Sequence, residues 1–187
     1  NPVARQRQKV APLVEGKVLE IGIGSGLNLP FYDKSNIDEL WGLDPSEELS
    51  DMARKVADSE NIEVNFISSG AEMIPLPDKY FDSVLITYTM CTIPEVARAN
   101  KEIKRVLKRG GKLIFCEHGE APDENIRKWQ KRINPFWGKL AGGCNINRKI
   151  PLLIQNAGFE IVELEEMYLP KTPKIAGYNY WGYAVEK

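Results

Sequence analysis

Glu20-Ile21-Gly22-Ile23-Gly24-Ser25-Gly26-Leu27-Asn28 closes the β-rich run Lys17–Ile21 and opens a glycine loop. Glycines at every second position let a chain turn sharply and approach a ligand more closely than a Cβ would permit. Outward from this loop the sequence alternates. Short β-rich runs recur at Glu39–Leu43, Ile62–Ile67, Phe81–Thr87, Lys112–Glu117 and Glu160–Glu165. Helical stretches separate several of them. Ser46–Ala57 opens with a Ser N-cap followed by Glu47 and Glu48, which suit the positive end of a helix. Pro94–Lys108 sets Val96, Ala99, Ile103, Val106 and Leu107 on one face, and Gly110-Gly111 is expected to cap it. Strand, helix and strand in this order predict a parallel sheet with helices on both faces. The last run, Tyr178–Glu186, follows Glu160–Glu165 closely enough for an antiparallel pair at the sheet edge.

Composition narrows the classes. The 187 residues carry 25 Lys+Arg against 26 Asp+Glu, a net charge of −1 that recommends neither nucleic acid nor an anionic membrane as partner. No apolar run approaches the roughly 20 residues that cross a bilayer. The polar start, Asn1 to Gln8, lacks the apolar centre of a signal peptide, and the absence of an initial Met is what a trimmed chain would show. Cys91, Cys116 and Cys144 form no CxxC and fit a reducing, cytoplasmic setting, where they act as packing residues rather than nucleophiles. One His excludes a His-rich metal site, and no metal is expected. No linker or repeat divides the chain, so 1–187 reads as one domain.

In an open α/β sheet, ligands bind beyond the carboxyl ends of the strands. A dinucleotide fingerprint would need glycine at position 27, where Leu27 stands; the third glycine comes one residue early, which argues against a pyrophosphate on the helix N-terminus. A tight βα turn with no ligand is the alternative for the loop alone. Asp44, ending the second run ahead of Pro45, can accept both hydroxyls of a ribose; the alternative is an Asx turn leading into the helix. Glu20 reads as a buried carboxylate whose desolvation a cationic ligand, or an ammonium group on one, would offset.

Ser69-Gly70-Ala71-Glu72-Met73-Ile74-Pro75-Leu76-Pro77 follows the third run, and Arg105-Val106-Leu107-Lys108-Arg109-Gly110-Gly111-Lys112-Leu113 leads into the fifth. The ordered set of E-x-G-x-G-x-G, an Asp ending strand two, G-A-E-x-x-P ahead of Phe81-Asp82-Ser83-Val84, and this last phrase resembles class I S-adenosylmethionine-dependent methyltransferases over nearly the whole chain. The resemblance implies a doubly wound, Rossmann-like α/β sheet of about seven strands, mostly parallel with an antiparallel edge strand. It implies S-adenosyl-L-methionine as cofactor and S-adenosyl-L-homocysteine as product. Gly22, Gly24, Ser25 and Gly26 would lie against the methionyl part, Asp44 would hold the ribose, and Gly70, Ala71 and Glu72 would edge the adenine. Many relatives carry Asp at the place of Gly70, which shifts adenine recognition to the Ala71 amide and Glu72. Thr87 would mark where donor and acceptor meet, and Glu20, Asn28, Pro45 and Tyr88 complete the implied cofactor set.

Further phrases narrow the resemblance. Met90-Cys91-Thr92, Phe115-Cys116-Glu117-His118, Trp129-Gln130, Pro135-Phe136-Trp137, Gly143-Cys144-Asn145-Ile146-Asn147-Arg148 and Trp181–Lys187 resemble the methyltransferase-like thiol S-methyltransferases, which act on small alkyl thiols. Asn1 to Gln8 does not resemble that family's N-terminal membrane-associating stretch. A small-molecule thiol acceptor is implied, with Cys91, Trp129, Trp137, Asn145 and Arg148 beside it and 119–150 as a lid. A phospholipid or small-amine N-methyltransferase is the alternative; a non-catalytic cofactor-binding module and an NAD-dependent oxidoreductase stand further off.

His118 follows the fifth strand, where an imidazole could deprotonate a thiol or amine; holding a loop through a backbone carbonyl is the other reading. Arg127, Lys128, Lys131, Arg132 and Lys139 interleave with Trp129, Phe136 and Trp137. We read this segment as a helical lid with a solvated basic face and aromatic residues over the acceptor, rather than an RNA-binding patch. Peripheral membrane contact stays open.

Overall fold

Residues 1–187 are described in a computed structural model. The strands are β1 (Gly16–Ile21), β2 (Ile37–Asp44), β3 (Asn65–Ser68), β4 (Phe81–Thr87), β5 (Leu107–His118), β6 (Phe159–Tyr168) and β7 (Tyr178–Glu186). The helices are α1 (Pro2–Val10), α2 (Glu47–Glu60), α3 (Val96–Val106), α4 (Glu124–Leu140), α5 (Ile150–Asn156) and α6 (Lys174–Gly177). All strands join one sheet of order β3-β2-β1-β4-β5-β7-β6. β7 runs antiparallel to both β5 and β6, so the reversed strand stands one place in from the edge that β6 occupies.

Central strands are buried on both faces, and their alternation builds two cores. Val18, Leu85, Ile114 and Cys116 face the layer of α1 and α2, meeting Val10, Ala53 and Ala57. Leu19, Val84, Ile86, Leu113 and Phe115 face the other layer, meeting Ala99, Ile103 and Val106 of α3 and Ile150 and Ile154 of α5. Each such aliphatic side chain contributes about 1.5–3 kcal/mol by leaving water.

Several local expectations shift by a few residues. β3 begins at Asn65 rather than Ile62, because α2 runs on to Glu60 and ends through Asn61 in the left-handed conformation, leaving Ile62 to Val64 as the lead-in. Gly110 and Gly111 do not cap α3. The helix ends at Val106, its last carbonyls accept from a neighbouring segment (Lys79 N to Arg105 O, 2.9 Å; Tyr80 N to Val106 O, 2.8 Å), and the glycine pair falls within β5. A docked loop has replaced the glycine cap.

Gly182 packs the β6–β7 pair closely: a Cβ there would lie 1.9 Å from the Glu163 carbonyl oxygen, beside the register shift between Ile161 and Glu163. Gly182→Ala is therefore expected to lower unfolding free energy by about 1–3 kcal/mol or more, as overpacking does. A urea titration checks this; an unchanged midpoint would show that the strands separate freely.

Candidate active site

The order reverses between β1 and β4, and a cavity of about 500 Å³ opens there, above the carboxyl ends of the strands. The glycine loop forms one wall. Gly22, Gly24 and Gly26 all have positive φ, and a Cβ on Gly22 would lie 2.3 Å from Thr89 Oγ1. Only glycine satisfies both the backbone and the approach of the β4 loop. Pro45, Ser46 and Leu49 form a second wall, Gly70, Ala71 and Glu72 a third, and Thr87 to Thr89 with Thr92 to Pro94 a fourth.

Asp44 is held between neighbours. Its Oδ2 accepts from Gly24 N at 3.0 Å and its Oδ1 from Ser46 N at 2.9 Å. The second contact is the Asx turn weighed as the alternative reading, so the residue shapes the turn and lines the cavity together. A carboxylate accepts about four hydrogen bonds, so lone pairs remain for a ligand.

Gly22, Gly24, Ser25, Asp44, Pro45, Gly70, Ala71, Glu72, Thr87 and Tyr88 line this cavity. Glu20, Gly26 and Asn28 do not. Gly26 packs down on Leu29 and Ala53. Glu20 is 1 % exposed, and its desolvation is met by protein groups rather than a ligand's ammonium: Tyr32 Oη donates to Oε2 at 2.6 Å and Asn28 Nδ2 to Oε1 at 2.7 Å. Asn28 Nδ2 also donates to Thr87 Oγ1 at 2.9 Å.

Arg7 escaped the sequence reading. It stands on α1, and its Nη1 donates to Asn28 Oδ1 at 2.9 Å and Thr87 Oγ1 at 2.6 Å while the side chain lines the cavity. Its Nε is buried without a partner. The Asn1 cap and Pro2 are helix-start signals, but nothing in the sequence aims this Arg at a loop some twenty residues on. Tyr88 carries φ 52°, an uncommon backbone for a bulky residue, and its hydroxyl donates to Asn179 Oδ1 at 2.7 Å.

Cys91, Trp129, Trp137, Asn145 and Arg148, expected beside the acceptor, stand outside the cavity lining. Trp129 is 55 % exposed and Phe136 72 %, away from the cavity. The inner stripe of α4 is Gln130, Ile133 and Trp137, so residues one position before each face solvent. Trp137 instead packs on Cys91, Cys144 and Ile146. Asn145 Nδ2 donates to Cys91 O at 3.0 Å, and Arg148 bonds the carbonyls of Met90 and Ile93. These residues stand behind the cavity and brace the Met90–Ile93 turn, of which Thr92 and Ile93 reach its wall. From 119–150, Gly142 alone reaches the lining.

His118 does not line the cavity. Its Nε2 lies 3.3 Å from Cys144 Sγ. Burial disfavours the imidazolium, yet the Cys144 contact and the Glu117 charge outweigh it and raise its pKa. The neighbouring Cys144 and burial push the Cys91 thiol up, while Cys91 and His118 beside it pull Cys144 down. Burial raises Glu117 to about 7 although Thr89 N and Met90 N donate to its Oε1 at 2.8 and 2.9 Å.

The fold is similar to that of YcgJ from Bacillus subtilis, with a TM-score of 0.76 at 16 % identity, covering 100 % of this chain and 98 % of that one. The sequence is more specific: the family described as "Methyltransferase domain" matches residues 19–115, just over half of the chain. The chain belongs to this family and is a class I S-adenosylmethionine-dependent methyltransferase. That displaces the nicotinamide and non-catalytic alternatives. It is 29 % identical to rat thiol S-methyltransferase TMT1B over 87 % of its own length and 70 % of the relative's. It is 32 % identical to phosphatidylethanolamine N-methyltransferase of Cereibacter sphaeroides, over 81 % and 74 %. No helix is long and apolar enough to cross a membrane.

Burial raises the Glu20 carboxyl to about 7, with Tyr32, Asn28 and Arg7 opposing and Asp44 reinforcing the shift. Because the folded protein keeps this proton to higher pH than the unfolded chain, the stabilisation is complete below about pH 4.5 and lost as pH rises through about 7. At 1.36 kcal/mol per pH unit the loss is on the order of 3 kcal/mol. Urea unfolding across this range should show Glu20→Gln lacking that fall, while the part due to Glu117 remains. An identical pH dependence in the two proteins would refute the buried-carboxyl assignment.

Proposed function

We propose that this cavity holds S-adenosylmethionine and that the enzyme transfers its methyl group to a small thiol. The observation that carries the cofactor placement is a cavity with a guanidinium on one side and a carboxylate on the other. Arg7 has a buried Nε without a partner, which a ligand carboxylate would satisfy. Asp44 offers lone pairs to a pair of ribose hydroxyls. Gly24, where an added Cβ would find nothing closer than 3.9 Å, leaves room for a methionyl chain, and Gly70, Ala71 and Glu72 border a flat ring.

The bound cofactor supplies a methyl carbon already activated by a sulfonium. The chain's task is then to align donor and acceptor and to exclude water. Orienting reactants is worth on the order of 7–11 kcal/mol of barrier. Tyr88, Thr89, Thr92, Ile93, Pro94 and Gly142 contribute hydroxyls and apolar surface to the acceptor side, and none is a carboxylate or an ammonium. Such a wall suits a thiol acceptor, because charge is annihilated as thiolate meets sulfonium and a dry site favours that. The likeness to TMT1B supports the same acceptor. The Met90–Ile93 turn, braced from behind by Asn145 and Arg148, would fix through Thr92 and Ile93 where the acceptor rests, and 119–150 would close over it through Gly142.

A second reading has its own observation. The outer face of α4 exposes Trp129, Phe136 and Leu140 beside Arg132 and Lys139, as a surface resting on lipid would, and one relative methylates phosphatidylethanolamine.

Asp44→Ala should weaken S-adenosylhomocysteine binding about 10- to 100-fold, the worth of hydrogen bonds to a charged group, with little change in acceptor KM. Calorimetry and initial rates check this; equal losses in both would count against the ribose assignment. Methyl transfer to a panel of alkyl thiols, small amines and phosphatidylethanolamine vesicles decides the acceptor. Thiols are expected to be methylated, and transfer to vesicles alone would establish the lipid reading instead.

A further inference from the structure

Three residues remote in sequence meet behind the acceptor wall: Cys91 after β4, His118 at the end of β5, and Cys144 after α4. Their donor atoms all lie within 4.8 Å of one another, and Cys144 Sγ and His118 Nε2 are 3.3 Å apart. We propose that Cys91, His118 and Cys144 form a binding site for one thiophilic divalent metal ion of the Zn²⁺ type.

The donor set is what a soft or borderline ion selects, two thiolates and an imidazole. Around tetrahedral zinc with bonds of about 2.3 Å to sulfur and about 2.0–2.1 Å to nitrogen, neighbouring donors stand roughly 3.5–3.8 Å apart. The present spacing straddles that range, so side-chain rotation suffices. Charge also balances. Two thiolates neutralise a dication, and a neutral cluster is the form tolerated beside Ile133, Trp137 and Ile146, which pack on the cysteines. Binding displaces one proton from each thiol that still carries one.

The scaffold holds the three segments independently of any ion. Asn145 N and Nδ2 both donate to the Cys91 carbonyl, at 2.9 and 3.0 Å, which ties the loop after β4 to the segment that carries Cys144. Buried Gln130 bonds Gly119, Ala121, Ile146 and Ile175, which fixes the approach of α4 to the end of β5. A site whose backbone is already placed loses little entropy on binding.

Three protein ligands leave a fourth position open, the pattern of catalytic rather than structural zinc. Cys91 adjoins Thr92, and Cys144 lies two residues from Gly142, both of which line the cavity. An acceptor thiol would take the open position as a thiolate, its S–H bond breaking and the proton leaving to water; this consequence, unlike the ion site itself, rests on the thiol reading above.

The test uses the full chain, stripped of metal by a chelator, kept reduced with a phosphine, and titrated with Cd²⁺. One equivalent is expected to raise a thiolate-to-metal charge-transfer band. Cys91→Ser and Cys144→Ser should each weaken binding by more than about 100-fold, beyond the cost of losing an outer partner. Cys116→Ser, in the opposite core layer, should keep it, with circular-dichroism melts confirming that each variant is folded. Absence of the band, or its survival in both cysteine variants, overturns the site. A small alkyl thiol should intensify the band of the Cd²⁺-loaded chain and an amine should not. No intensification, with thiols still methylated, overturns the open-position role alone. Failure to methylate thiols overturns the acceptor reading and leaves the ion site standing.

Discussion

A carboxylate with almost no access to water sits where the sheet reverses its order, and the surrounding architecture is arranged to keep it there. Glu20 is the last residue but one of β1, between two parallel neighbours, and its oxygens are met by Asn28 and Tyr32 from the chain that follows the glycine loop. Asn28 carries the connection on to Thr87 of β4 and Arg7 of α1. Four segments are thus joined under the loop by hydrogen bonds in a low dielectric, where each bond is strong and an unmade one is expensive. The cavity above inherits its rigidity from that network rather than from the loop.

The opposite side of the cavity is braced by different means. The turn after β4 has little regular structure, and its carbonyls would be left without partners if the segment after α4 were not folded against it. Asn145 and Arg148 supply those partners, and Glu117 receives the amides of Thr89 and Met90. Buried backbone groups must be paired, so the wall nearest the acceptor is specified by residues that never enter the cavity. Substitutions well outside the lining can therefore move the acceptor.

Much of this protein was legible in one dimension. Strand runs and glycine spacing reflect periodicities of 2 and of turns, which are local consequences of backbone geometry. The placement of Asp44 and of Gly70 to Glu72 followed because residues just past a parallel strand must emerge at one edge of the sheet. The glycine pair after α3 misled for an equally physical reason: a helix end can be satisfied by any donor, and here a distant loop, Lys79 and Tyr80, reached it first. The aromatics of α4 misled because composition does not say which face of a helix turns inward.

By itself the amino-acid sequence determined the sheet, the loop and the chemistry available at the strand ends, since these depend on neighbours along the chain. Only the tertiary structure decided that Arg7 enters the cavity, that Trp129 leaves it, and that Cys91, His118 and Cys144 meet. Side chains separated by twenty or more residues are brought together by packing of whole elements, and the directions they take are fixed by burial, not by spacing.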